Sequence, residues 1–270
     1  MYNSLNKTLR SSAIPSLLCD FYKTSHRIQY PENTQIIYST FTPRSNKHAP
    51  YLTRVVSFGF QAFIIKYLIH YFNDNFFNRP ESDVVSEYSQ FIAKTLQMVD
   101  KGEHIAQLHQ LGYLPIRIKA IPEGQAVAVK VPMMTIENTH PDFFWLTNYL
   151  ETLINVCLWQ PITSASIAFA YRSALIRFAE KTCDNYDHIL FQSHDFSMRG
   201  MSSLESAEMS GAGHLTCFLG TDTIPAISFI EGYYGSQQLI GTSIPASDHS
   251  VMSAHGVDEL PTFSYLMRKS

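Results

Sequence analysis

SHDFSMRGMSSLESAEMSGAGHLTCFLGTDT (193–223) is the stretch on which the reading of this chain turns. Short apolar runs stand at 189–192, 215–219 and 239–244, a spacing of about 25 residues. Each run leads into a polar turn and then a helix-like segment, the pattern of consecutive βα units. The turns hold His194-Asp195-Phe196 with Arg199, then Thr221-Asp222-Thr223, then the segment 243–249. Residues just past the C-terminal ends of parallel strands open onto one face of such an array. These positions, dozens of residues apart, are therefore expected to line one pocket.

Working outward, the chain has 270 residues and a formal net charge of −3, with 45% hydrophobic and 16% charged residues. That balance is ordinary for a globular protein and argues against a nucleic-acid partner, while leaving room for local phosphate sites. Cys19, Cys157, Cys183 and Cys217 are far apart and form no CxxC pair, so a reduced, cytoplasmic protein without a zinc site is expected. No signal peptide or membrane span is read: the most apolar segment, 58–72, is interrupted by Gln61, Lys66 and His70. No membrane partner is expected.

Residues 1–12 are polar and expected to fray. Asp20 would cap a first helix, Pro31-Glu32-Asn33-Thr34 is a turn, and 35–42 alternates as a strand. A strand over 54–59 is expected to run into a helix over 60–72, with an amphipathic helix over 81–99. Strands return between 114 and 138, at 116–120 and 126–131. A helix then begins at 139–142 with Pro141 in its first turn, is apolar nearly all round to 159, and is followed by a second helix over 164–183. The fold class expected is α/β: an α+β region over 1–138, a helical connector over 139–186, and βα units over 187–270.

Within the array, Ser202-Ser203-Leu204-Glu205 matches the S-x-x-E capping box of a helix start. Gly211 and Gly213 are no phosphate loop, since no Lys or Ser/Thr follows in the required places; they are expected to end that helix and permit close packing. Asp222 and Asp248 each have an ordinary role as helix N-caps. In the functional alternative, Asp222 is a carboxylate at a pocket mouth that accepts a ligand N–H. His249 is either a structural histidine or, standing at a helix start where the dipole favours a neutral ring, a base or nucleophile. Arg199 is either a surface arginine or a phosphate fork, and Phe196 is either core or a flat face for an aromatic ligand.

Six stretches, DFYKTSHRIQYPENT (20–34), PIRIKAIPEG (115–124), TIENTHPDFFWLTNYLET (135–152), HDFSMRGMSSLESA (194–207), FLGTDT (218–223) and SIPASDHS (243–250), carry a resemblance. In this order and spacing they resemble the nicotinamide phosphoribosyltransferases, the NAD-salvage branch of the type II phosphoribosyltransferases. The resemblance implies transfer of phosphoribosyl from phosphoribosyl pyrophosphate to nicotinamide, giving nicotinamide mononucleotide and pyrophosphate, with Mg2+ on the pyrophosphate and ATP as coupling substrate. It implies that Phe196 stacks on the pyridine ring and that Tyr22 covers the other face from a partner subunit, in a homodimer with shared active sites. Asp222 would accept the carboxamide N–H, with Ser243 within reach of the same amide. Arg199 and His249 would stand at the diphosphate, and His249 would be the histidine that ATP phosphorylates.

Three positions depart from the family pattern: Asp248 replaces a glutamate, Ser247 an alanine, and Gln192 a lysine. A larger departure is length. The family continues about as far again, with an Arg-x-Asp segment for the ribose and a glycine-rich loop for the 5′-phosphate, and neither is found in these 270 residues. A (βα)8 barrel takes about 250 residues, so the resemblance implies an incomplete TIM-like barrel holding its first three βα units. Such a chain is expected to be an inactive or partial enzyme. The alternatives are a non-catalytic remnant or dimerising fragment of such an enzyme, or a nicotinate phosphoribosyltransferase. The last is disfavoured because Asp222 would repel a carboxylate.

Overall fold

The computed structural model describes residues 14–97, 99–236 and 238–269. The expected fraying of 1–12 falls outside them. Chain order begins with helix α1 (Phe21–His26) and strands β1 (Tyr38–Phe41) and β2 (Val55–Val56). Helix α2 opens as α-helix over Phe60–Phe63 and continues in wider π-type turns over Ile64–Tyr71 and Asn73–Phe77. It therefore runs five residues past the expected end at 72. Helices α3 (Glu81–Leu96) and α4 (Glu103–Leu111) follow; α4, bracketed by the left-handed glycines Gly102 and Gly112, has no counterpart in the sequence reading.

Strands β3 (Ile116–Ala120), β4 (Ala126–Val127) and β5 (Met134–Asn138) form two antiparallel sheets with the earlier pair, in the order β1-β5-β3 and β2-β4. The registers put Ile136 opposite Ser39 on one side and opposite Ile118 on the other. In β5 the alternation is clean: Met134, Ile136 and Asn138 point inward. The buried Asn138 amide is satisfied, accepting from the Ile37 N–H at 2.8 Å and donating to Gln35 O at 2.7 Å and His140 O at 2.9 Å. The segment 126–131 was expected to be strand throughout, but only its first two residues pair.

After a 3-10 turn at Pro141–Phe143 and the short α5 (Leu146–Tyr149) comes α6, a single helix of 32 residues over Glu151–Thr182. The two helices expected on either side of residues 160–163 are thus one. Pro161 lacks the N–H that would continue the ladder and its ring crowds the preceding turn. Glycines accommodate it: a Cβ at Gly59 would lie 3.0 Å from Pro161 Cγ, and one at Gly213 would lie 2.8 Å from Pro161 O. By length and composition α6 is apolar enough to cross a membrane, but 56% of its most apolar window is buried inside the fold. Leu153, Ile154, Leu158 and Ile162 join Phe60, Phe76, Tyr88 and Trp145 in the main core. Each such side chain contributes roughly 1.5–3 kcal/mol by leaving water, so the sheet and α2–α6 form one packed body.

The C-terminal array is parallel. Strand β6 (His194–Asp195) pairs with β7 (Gly220–Thr221), and a single bridge joins Gly220 to Thr242. The pairing falls beyond the apolar runs that predicted it. The run 189–192 lies in a 3-10 turn, Asp187–Phe191; helix α8 (Leu204–His214) and its closing turns absorb most of 215–219; and 239–244 supplies only the bridge. Polar residues hold the strands because their side chains satisfy one another, with Thr221 Oγ1 donating to Asp195 Oδ2 at 3.0 Å. The short α7 (Ser197–Gly200) precedes α8, and α9 (Ile224–Tyr234), α10 (His249–Ala254) and α11 (Glu259–Met267) complete the chain. These helices alternate with parallel strands, and the fold is α/β.

The box at 202–205 is shifted by one residue. Ser203, not Ser202, caps α8 by accepting from the Ser206 N–H, and Glu205 turns away to bind Lys66 and Tyr67 of α2, both at 2.6 Å. Gly211 and Gly213 lie inside α8 rather than at its end, but the expected close packing is present. A Cβ at Gly211 would meet Ala226 Cβ at 2.7 Å and Asp195 Oδ2 at 2.8 Å.

Candidate functional site

The site is built where β6 and β7 end. Asp195 is buried and its carboxylate is fully engaged, accepting from the Ser197 N–H, the Ser197 hydroxyl and the Thr221 hydroxyl. It is therefore no rim carboxylate, contrary to its expected place beside Asp222. It fixes the backbone on both sides of Phe196, whose ring stays 63% exposed. That ring leans on His194, with centroids 4.9 Å apart at 41°.

Asp222 follows β7, and its N–H donates to Asp195 O at 2.9 Å. The cap position of α9 belongs to Thr223, which makes no side-chain cap bond, so the ordinary reading of Asp222 as an N-cap does not describe it. Its Oδ1 instead accepts from Ser243 Oγ at 2.6 Å and from His194 Nε2 at 2.9 Å. The Ser243 hydroxyl, and next the His194 ring, hold this exposed carboxyl below its ordinary range. Ser243 arrives there because Thr242 is stitched to β7 on both sides, through Thr221 N–H to Thr242 O at 3.0 Å and Thr242 N–H to Leu219 O at 2.7 Å. A single bridge thus suffices to deliver the hydroxyl.

The remaining expected residues stand apart from this cluster. Asp248 does cap its helix, accepting from the Ser250 and Val251 N–H groups at 3.0 and 3.1 Å. His249 begins that helix and is exposed, as is Arg199 in α7. Arg199 is near enough for its charge to help depress the Asp248 carboxyl, after the larger effect of the Ser250 hydroxyl. Tyr22 lies on α1, 55% exposed, with Lys23 Nζ 5.1 Å from its ring centroid and the His26 ring at 4.9 Å. It faces a 390 Å³ cavity shared with Asp20, Glu151 and Trp159. Asp20 makes no side-chain cap to α1; it accepts from Thr152 Oγ1 at 2.9 Å and so ties α1 to α6. The buried Lys23 reinforces the tie by binding Glu151 and Asn148.

A 990 Å³ cavity lies between β1, β5 and α6, and Phe196, Asp222 and Ser243 do not line it. The rim has the chemistry of a binding site: an exposed aromatic face beside a carboxylate whose Oδ2 has no partner among the described residues can stack a flat ring and accept its amide N–H. No three His, Cys, Asp or Glu side chains gather as a metal cage among the described residues. Sequence reading missed the tie from His194 to Asp222. The only available signal was Gly220, the small residue that lets the histidine ring lie across β7.

A sequence model of the nicotinamide phosphoribosyltransferase N-terminal domain matches residues 16–118, and one of the nicotinate phosphoribosyltransferase family matches residues 191–269. The nicotinamide phosphoribosyltransferase of Acinetobacter baylyi is 46% identical over 254 residues, covering 92% of this chain and 50% of that protein. Its counterpart in Xanthomonas campestris pv. campestris is 35% identical over 240 residues, covering 88% of this chain and 48% of its own length. Among solved structures, human nicotinic acid phosphoribosyltransferase superposes with a TM-score of 0.58 at 16% identity, over 88% of this chain and 40% of that one. At that identity the likeness concerns the fold alone. The chain spans about half the length of the curated relatives it matches, and over that span its sequence is similar to the nicotinamide phosphoribosyltransferases.

Proposed function

We propose that this chain carries the base-recognition rim of an enzyme that transfers phosphoribosyl from phosphoribosyl pyrophosphate to nicotinamide. The observation that carries the reading is the cluster of exposed Phe196 with exposed Asp222, whose Oδ1 accepts from Ser243 and His194 while Oδ2 has no hydrogen-bond partner among the described residues. Phe196 stacks the pyridine ring and Asp222 accepts the carboxamide N–H. The pyridine nitrogen then attacks the ribose anomeric carbon as the bond to pyrophosphate breaks, its electron pair leaving on the pyrophosphate oxygen. No proton has to move at the nitrogen, so the contribution of the rim is orientation. Mg2+ enters with the pyrophosphate as part of the substrate. Arg199 and His249 serve the diphosphate, and ATP phosphorylates His249 to couple hydrolysis to the transfer.

A nicotinate carboxylate in the same place would face a depressed, ionised Asp222 and be repelled. Isothermal titration of the 270-residue chain tests the assignment: nicotinamide is expected to bind at least about tenfold tighter than nicotinate, a difference of one well-formed hydrogen bond. Equal binding, or a preference for nicotinate, would remove Asp222 from this role.

The homodimer belongs to the same reading. Tyr22 is exposed on a face of α1 and α6 and meets neighbours different from those of Phe196, which suits a ring offered to a second copy. Re-formed mixtures of Tyr22→Ala and Phe196→Ala chains should recover some nicotinamide sites, and no recovery would place both rings in one subunit.

A second reading, a non-catalytic base-binding or dimerising piece of such an enzyme, draws on the parallel array. Among the described residues it comprises β6, β7 and the single bridge at Thr242.

A further inference from the structure

We infer that His194 is a positioning residue that sets amide-over-acid selectivity by fixing the carboxylate of Asp222. The inference rests on the base-binding reading above. Only a donor can satisfy a carboxylate, so the 2.9 Å contact requires the hydrogen on Nε2 of His194. Ser243 donates to the same oxygen at 2.6 Å. With Oδ1 doubly occupied, the carboxylate cannot turn freely about its last torsion, and Oδ2 is the oxygen left for a ligand N–H. The same imidazole carries Phe196 on its face at 4.9 Å, so one ring sets the spacing between the aromatic platform and the acceptor.

The backbone is built to admit that ring. His194 pairs directly with Gly220 across the parallel ladder. A Cβ at Gly220 would lie 2.7 Å from His194 Nδ1, closer than such atoms approach, and 3.1 Å from Ser193 O, tighter than most such contacts. Glycine at 220 thus leaves the space in which the histidine reaches across β7 to Asp222. Without His194 the carboxylate keeps only Ser243, gains rotational freedom and is protonated more readily. Both changes weaken the hydrogen bond to an amide and relieve the repulsion of an acid, so the ratio of the two affinities responds, not only their size.

Isothermal titration with nicotinamide and with nicotinate, on the unaltered chain and on His194→Ala, His194→Gln and Gly220→Ala, reads that ratio, with circular dichroism confirming that each variant is folded. His194→Ala is expected to narrow the nicotinamide preference about fivefold to tenfold. In His194→Gln the side-chain amide N–H stands near the position of Nε2, and the preference should stay within about twofold of the unaltered chain. Gly220→Ala keeps the histidine but displaces it, and should narrow the preference as His194→Ala does. A folded His194→Ala or Gly220→Ala chain with an unchanged ratio overturns the inference, as does a proportional loss for both ligands, which is what a merely structural role gives. If His194→Ala does not fold, the ratio in Gly220→Ala decides. An unaltered chain that binds neither ligand overturns the base-binding reading and this inference together; one that prefers nicotinamide while the variants keep its ratio overturns this inference alone.

Discussion

Asp195 and Asp222 are the same residue type, 27 positions apart, one ending a parallel strand and one just past the next, and their surroundings differ. Asp195 is buried with three donors around it, while Asp222 is exposed with one oxygen engaged and the other without a partner among the described residues. Their difference is one of register: Asp195 is the last paired residue of β6, and Asp222 is the first residue past β7. Only the latter projects from the array. If Asp222 reads the carboxamide, Asp222→Ser is expected to cut the nicotinamide-over-nicotinate affinity ratio by about tenfold or more, since it removes both an ionised acceptor and the repulsion of an acid. Titration with the two ligands checks this, and an unchanged ratio would leave Asp222 a partner of Ser243 and His194 alone.

At the scale of elements, α6 and α8 cross closely because α8 is glycine-bearing at the contact. A Cβ at Gly213 would meet backbone atoms, Pro161 O at 2.8 Å and Ala165 N at 2.9 Å, and neither can step aside as a side chain could. Gly213→Ala is therefore expected to destabilise the chain by about 1–3 kcal/mol in denaturant unfolding. Gly232 in α9 has open space around its would-be Cβ, and Gly232→Ala should be neutral or stabilising by up to about 1 kcal/mol. A second link joins α2 to α8 through Lys66, Tyr67 and Glu205. Burial alone would raise the Glu205 carboxyl, but the hydrogen bonds from Lys66 and Tyr67 outweigh it and hold it below its ordinary value. A carboxyl depressed in the folded state adds stability that is complete above the unfolded glutamate value of about 4.3 and is lost as pH falls below it. The melting temperature should consequently drop more steeply below that pH in the unaltered chain than in Glu205→Gln. Parallel curves would show that the clamp contributes nothing to acid stability. The same neighbourhood pushes the Cys157 thiol up to about 12, chiefly by burial, which keeps it unreactive.

For the whole molecule, α2–α6 and the antiparallel sheet hold the large core, whereas the parallel array among the described residues is two short strands and one bridge. Thr242 pairs with β7, and among the described residues no strand pairs on its far side. An unpaired parallel edge is a route to aggregation. The 270 residues also hold no glycine-rich loop of the kind that cradles a 5′-phosphate. The purified chain, supplied with nicotinamide, phosphoribosyl pyrophosphate, Mg2+ and ATP, is expected to bind the base without forming mononucleotide. Well-placed reactants account for about 7–11 kcal/mol of barrier lowering, and the ribose phosphate would lack that placement. Turnover close to that of a relative twice as long would overturn this expectation and show that a phosphate site is made from residues of this chain.

The sequence by itself determined the α/β class, a β layer ahead of the array, the close packing at Gly211 and Gly213, and the resemblance to the nicotinamide phosphoribosyltransferases, because apolar periodicity and contiguous motifs are local properties of the chain. It also singled out Phe196 and Asp222, since each follows a segment expected to enter the parallel array, and the family resemblance added Ser243. Strand placement escaped it: the ladder formed at His194–Asp195 and Gly220–Thr221, where side-chain hydrogen bonds across the sheet compensate for polarity that reads as a loop. The continuity of α6 through Pro161 escaped it too, because the space for the proline comes from Gly59 and Gly213, about 100 residues before it and 50 after it. Only the tertiary structure decided that Asp195 is a buried buttress and Asp222 an exposed carboxylate engaged through one oxygen among the described residues. A carboxylate's role depends on which donors reach it, and those donors come from Ser197 and Thr221 in one case and from His194 and Ser243 in the other.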